Sequence, residues 1–171
     1  YSSGDGDIYY LRAQTLRTLG RLEEAETDLS HAIDLQPSDA ANYNLRGIIR
    51  RNLGRYQQAI ADYHKALRIQ PREANYYVGM GLAHEGLGQY RAALEAFNRA
   101  IEIDDSNGDY YYSRARAHND LNDYHAALAD VHRAIQLQPK DPYNLNLQGI
   151  ILRNMGRYRD ALQPYSTALI M

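Results

Sequence analysis

The chain has no cysteine, no tryptophan and a single phenylalanine. Without thiols it can build no disulfide, no thiolate metal site and no cysteine nucleophile, and it leaves its redox compartment unmarked. Neither sign of charge dominates. Lys and Arg number 19 against 21 Asp and Glu, a net charge of -2. That balance offers no electrostatic footprint for a nucleic-acid backbone or an anionic membrane. No apolar run approaches the roughly 20 residues that span a bilayer, so no membrane insertion is expected. No signal peptide is visible, which favours the cytoplasm, although a chain that starts at Tyr1 could have lost a leader. What is present is Ala, Leu, Ile and 16 Tyr, with 44% hydrophobic residues over 171 positions. This suffices for one or two buried cores.

A strict period organises those residues. Leu19-Gly20, Leu53-Gly54 and Leu87-Gly88 are followed by Leu121-Asn122 and Met155-Gly156, always in the same phase. Five repeats result: 6–39, 40–73, 74–107, 108–141 and a shorter 142–171. Position 4 is Tyr9, Tyr43, Tyr77, Tyr111 and Leu145, and position 17 is Leu22, Tyr56, Tyr90, Tyr124 and Tyr158. Small residues hold position 8 (Ala13, Gly47, Gly81, Ala115, Gly149), and alanine holds positions 20 and 27 throughout.

Spacings of three, four and seven place positions 4, 7, 8 and 11 on one helical face and 17, 20, 24 and 27 on another. Small residues let two helix backbones approach, and large ones fill the space beside them. Gly or Asn near position 15 supplies the left-handed residue that ends the first helix. Pro37, Pro71 and Pro139 close the second. A single hairpin cannot cover its own apolar faces, so the hairpins must stack.

The pattern resembles the tetratricopeptide repeat over essentially the whole chain. The resemblance implies an all-α fold, a right-handed α-solenoid of antiparallel helix hairpins forming one domain over 1–171. It also implies a protein-interaction scaffold, not an enzyme, with a protein or peptide as partner and no cofactor or metal. Two other roles remain open. The array could be the substrate-recruiting arm of an enzyme whose catalytic domain lies elsewhere, or an architectural spacer.

Two finer patterns carry structural expectations. Position 7 is Arg12, Arg46, Met80, Arg114 and Gln148, while position 23 is Asp28, Asp62, Ala96, Asp130 and Pro164. Arg and Asp occur together or not at all, which predicts ion pairs Arg12–Asp28, Arg46–Asp62 and Arg114–Asp130 inside three hairpins. The alternative is solvated charges that vary together by descent. In addition, residues 6–69 match 108–171 at roughly half of all positions, a superperiod of three repeats. The order therefore reads A-B-C-A′-B′, which predicts a piece of a longer array. Its uncapped ends could be covered by a partner or stack end to end in self-association.

Chemistry-bearing clusters are scarce. No two of the six His share the i, i+4 spacing of paired ligands on a helix. Asp104, Asp105 and Asp109 lack the ordered spacing and closing Glu of a calcium loop, so they read as caps. Gly79, Gly81, Gly86 and Gly88 follow no strand and read as helix packing, or as room for a ligand backbone, rather than a phosphate loop. Most Tyr sit at packing positions, which leaves base stacking without a platform, and no nucleic-acid partner is expected.

In proteins similar to this one, positions 2, 5, 9, 12 and 13 of the first helices line a concave groove. Carried over, the groove begins with Tyr10, Gln14 and Arg17, then Asn44, Ile48, Arg51 and Asn52, then Val78, Leu82 and Glu85. The fourth repeat gives Tyr112, Arg116, Asn119 and Asp120, and the fifth gives Tyr143, Asn146, Ile150, Arg153 and Asn154. Asn and Gln suit a peptide backbone of almost any sequence. The two-carboxylate clamp that holds chaperone tails in this family needs Lys, Asn, Asn, Lys and Arg. The first three repeats offer Tyr10, Gln14, Leu45, Asn75 and Gly79 in those places, so that mode is not expected.

Overall fold

The computed structural model describes residues 3–171; Tyr1 and Ser2, the first two positions of the expected solenoid, lie outside them. Among the described residues every regular element is an α-helix. The chain divides into two compact units, Tyr1–Gly88 and Gln89–Met171. The first holds α1 (Ser3–Thr18), α2 (Leu22–Leu35), α3 (Ala40–Asn52), α4 (Tyr56–Ile69) and α5 (Ala74–Gly86). The second holds α6 (Tyr90–Ile103), α7 (Gly108–Asp120), α8 (Tyr124–Leu137), α9 (Pro142–Asn154) and α10 (Tyr158–Leu169).

The turns follow from backbone chemistry. Gly20, Gly54, Gly88, Gly156 and Asn122 all have positive φ, between 62° and 77°. That twist returns the next amide to the end of the first helix, so Arg55 N–H donates to the Arg50 carbonyl at 2.8 Å and Arg157 N–H to Leu152 at 2.9 Å. Three first helices, α3, α7 and α9, begin on side-chain caps: Asp39, Asn107 and Asp141 accept from the amides of Ala41, Asp109 and Tyr143. Pro142 occupies the first turn of α9, where its missing N–H is harmless.

Alanine and glycine at the small positions are buried where the hairpins close, including Ala13, Ala25, Ala32, Gly47, Ala59 and Ala66. In the first unit one cluster joins Leu16, Leu29, Leu45 and Ile49; in the second, Val131, Leu147 and Ile151. Within the first unit α1 touches α3 and α3 touches α5, while α2 and α4 do not meet. Within the second, α7 touches α9 and α8 stays apart from α6 and α10. First helices therefore lie on the inner side of each unit's curve, and second helices on the outer side.

Candidate functional site

The inner face of the first unit carries ten of the groove positions. Tyr10, Gln14, Asn44, Ile48, Arg51, Val78, Leu82 and Glu85 are half-buried, and Arg17 and Asn52 are exposed. Their inward sides are anchored: Tyr10 packs on the Ala13–Leu16–Leu29 cluster, and Ile48 on Ala59, Tyr63 and Ala83. Arg51 keeps its Nε–H buried without an acceptor. In the second unit Tyr112, Asn119 and Ile150 are half-buried; Arg116, Asp120, Tyr143, Asn146, Arg153 and Asn154 are exposed. Here two groove positions meet directly, Asn154 Nδ2 donating to Asn119 Oδ1 at 2.9 Å.

A buried tyrosine supports the first of these faces. Tyr63 is fully enclosed, its hydroxyl has no partner, and its ring lies against Gly47 and Gly79. Burial pushes its pKa from 10.0 up to about 12, Asp62 adds to the rise, and Arg51 opposes it. Because the folded value exceeds the unfolded one, the stability linked to this group is complete below pH 10. It is lost as pH climbs from 10 towards 12. In an absorbance titration of tyrosinate, Tyr63 is expected among the last groups to ionise, and Tyr63→Phe removes that step. The same variant holds or raises stability, because an unpartnered buried hydroxyl costs about 1–3 kcal/mol. A loss of stability would mean that the hydroxyl has a partner.

The Arg and Asp side chains lie between the helices of their hairpins. Arg12 Nη2 is 2.6 Å from Asp28 Oδ1, Arg46 Nη2 2.8 Å from Asp62 Oδ1, and Arg114 Nη2 2.7 Å from Asp130 Oδ1. Each pair is bidentate through Nε, the geometry that makes Arg–carboxylate bonds strong. Each guanidinium also lies 5.5–5.9 Å over the ring of Tyr9, Tyr43 or Tyr111, which gives the position-4 tyrosines a second role. Hydrogen bonds from Arg114 to Asp130 raise the Arg114 pKa, so it holds its charge. The pairs differ in burial: Arg12 is 62% exposed and Arg46 only 15%. Arg46 also reaches Ser30 on the preceding hairpin, and Arg114 reaches Asn98.

The sequence reading missed one network. Arg50 donates to Glu26 at 2.7 Å and to Asp62 at 2.8 Å, and Arg55 also binds Glu26. Glu26, Arg50, Asp62, Arg46 and Ser30 thus form a polar joint between the first two hairpins. At the matching places in the second unit stand Leu128, Leu152, Pro164, Gln148 and His132. Gln148 Nε2 lies 2.9 Å from His132 Nε2, and Leu152 and Pro164 are buried. One joint is ionic and the other mainly apolar. Also unforeseen is the full burial of Asn42 and Asn144 at position 3.

Among the described residues no group of three His, Cys, Asp or Glu side chains could hold a metal ion. No helix there is long and apolar enough to cross a membrane.

Stacked helical hairpins with first helices on the inner side define a helical-repeat protein. Family models described as tetratricopeptide repeat match residues 6–39, 38–106 and 78–142. The chain belongs to the tetratricopeptide repeat family. Its backbone is similar to solved structures at low identity. MamA 41-end from Desulfovibrio magneticus RS-1 gives a TM-score of 0.87 at 19% identity, covering 96% of this chain and 93% of that one. The Thermus thermophilus protein TTC0263, described as a thermophilic TPR protein, gives 0.78 at 20%, covering 96% and 90%. YrrB, described as a TPR protein with an unusual peptide-binding site, gives 0.74 at 20%, covering 94% and 83%. No curated protein sequence matches the chain.

Proposed function

We propose that the chain is a non-catalytic scaffold that holds a peptide or helix of another protein on the inner faces of its first helices. The observation that carries this reading is the row of first helices in the first unit, where Arg51 offers a buried Nε–H with no internal acceptor. Asn44 and Asn52 flank it with amide groups that can serve a partner backbone. An unmet donor beside these amides favours a partner carbonyl or carboxylate, since a buried donor left unsatisfied costs free energy. The second unit offers the Asn119–Asn154 pair with Tyr143 and Arg153 beside it. Tetratricopeptide repeats are in general interaction modules, and the printed description of YrrB as peptide-binding agrees with that use.

The test is affinity capture followed by mass spectrometry with the wild-type chain and the variant Arg51→Glu/Asn52→Ala. A partner that uses this face is expected to be lost at least about tenfold, the effect of roughly 1.4 kcal/mol at an interface. Circular dichroism should show unchanged helix content. Full retention of the captured protein by the variant would remove the inner face from the mechanism.

A further inference from the structure

Each unit carries the same set of inner-face residues on one of its first helices. On α3 the set is Asn44, Ile48, Arg51 and Asn52, and three repeats later α9 presents Asn146, Ile150, Arg153 and Asn154. The remaining groove position on these helices differs, Ala41 against Tyr143. Around this set the two hairpins have changed. Every exposed residue of α4, from Gln57 to Ile69, differs from its counterpart in the last hairpin. Even the buried Asp62 and its partners Arg46 and Arg50 give way to Pro164, Gln148 and Leu152. The inner faces of α1 and α7 have also diverged: Tyr10 returns as Tyr112, but Gln14 and Arg17 become Arg116 and Asn119. Common descent leaves a scattered match, so it does not account for one accessible polar set kept amid such change.

Nor do the kept polar side chains hold the fold together. Among the described residues Asn44, Arg51, Asn52, Asn146 and Arg153 make no side-chain hydrogen bond or ion pair; Asn154 alone has a partner, Asn119. Accessible polar groups retained without an internal role point to a ligand. Asn44 and Asn52 are eight residues apart, about 12 Å along the helix, the length of about four residues of extended chain. Their amides suit the backbone of such a segment, the guanidinium of Arg51 suits a carboxylate, and Ile48 suits an apolar side chain. We infer that α3 and α9 are two equivalent stations, each holding one copy of the same short extended segment of a partner, with an acidic residue beside an apolar one. On this assignment, which rests on the inner-face scaffold proposed above, the chain reads one motif twice. In the same places α5 presents Val78, Leu82 and Glu85, with neither the amides nor the cation, so it adds no third station.

The experiment uses the whole chain and a phage-displayed library of random seven-residue peptides. The library is selected in parallel against Arg51→Glu/Asn52→Ala, which leaves the α9 station, and against Arg153→Glu/Asn154→Ala, which leaves the α3 station. The altered side chains are exposed or half-buried, so both variants should keep their helix content by circular dichroism. The two selections are expected to converge on one motif, an acidic residue beside an apolar one. In isothermal titration calorimetry a synthetic peptide of that motif should fill two sites on the wild-type chain and one on each variant. It should bind at least about tenfold more weakly to the chain altered at both stations. Unrelated motifs, no enrichment, or a single site on the wild-type chain would overturn the two-station assignment. Undiminished binding to the doubly altered chain would go further and remove the inner faces themselves.

Discussion

Asp62→Ala is expected to lower the stability of the first unit by about 3–5 kcal/mol, the cost of stranding buried cationic partners. Asp62 accepts from Arg46 and Arg50 together, and the two arginine side chains are only 15% and 18% exposed. Neither can swing fully into water without leaving Tyr43 or Glu26. With a urea slope of about 1–3 kcal/mol per molar, the midpoint should fall by one to several molar. Removing the whole polar set should do less damage than removing one member. The variant Glu26→Leu/Arg46→Gln/Arg50→Leu/Asp62→Ala takes the second unit's residues at all but the last place, where alanine stands for Pro164, and apolar replacements of a buried ionic group are often neutral or stabilising. Urea melts followed by circular dichroism check both statements. An unchanged midpoint for Asp62→Ala would show that the joint does not depend on this carboxylate.

Gly79→Ala is the second large effect, and two opposed terms decide its sign. Alanine in place of glycine inside a helix gains about 1 kcal/mol. Its methyl would sit 2.5 Å from the Tyr63 ring, which Gly47 already confines from the other side. Overpacking of that kind costs about 1–3 kcal/mol, and a fully buried ring leaves little room for relief. A net loss of up to about 2 kcal/mol is therefore expected. Leucine fills the same repeat position at Leu29, so Tyr63→Leu should relieve the collision. In a double-mutant cycle of thermal melts, the two changes should couple by at least about 0.5 kcal/mol. Additive effects would mean that the ring is not what excludes the methyl.

The repeat positions made the hairpins readable before any coordinates. The alternation of Tyr9, Ala13, Leu22, Ala25 and Ala32 states which faces close, and a left-handed Gly20 or Asn122 states where the chain turns. Arg and Asp were legible because they come and go together across five repeats. The Glu26–Arg50 bond was not, because position 21 is acidic only once, with Ile60, Leu94, Leu128 and Leu162 elsewhere. A contact that occurs in one joint leaves no periodic trace. The unmet Arg51 Nε–H and Tyr63 hydroxyl were equally hidden, since pattern gives the face of a side chain but not the fate of each polar atom. The groove residues came from resemblance, and the structure adds which of them are half-buried and that Asn119 meets Asn154.

The ionic joint of the first unit and the apolar joint of the second respond to temperature through different terms. Hydration of charge weakens on heating, so the desolvation cost of Glu26, Arg50 and Asp62 falls as temperature rises. Burial of Leu128 and Leu152 loses driving force on cooling and contributes the larger heat capacity of unfolding. One hairpin pattern thus yields a seam suited to warmth and another with a steeper thermal response.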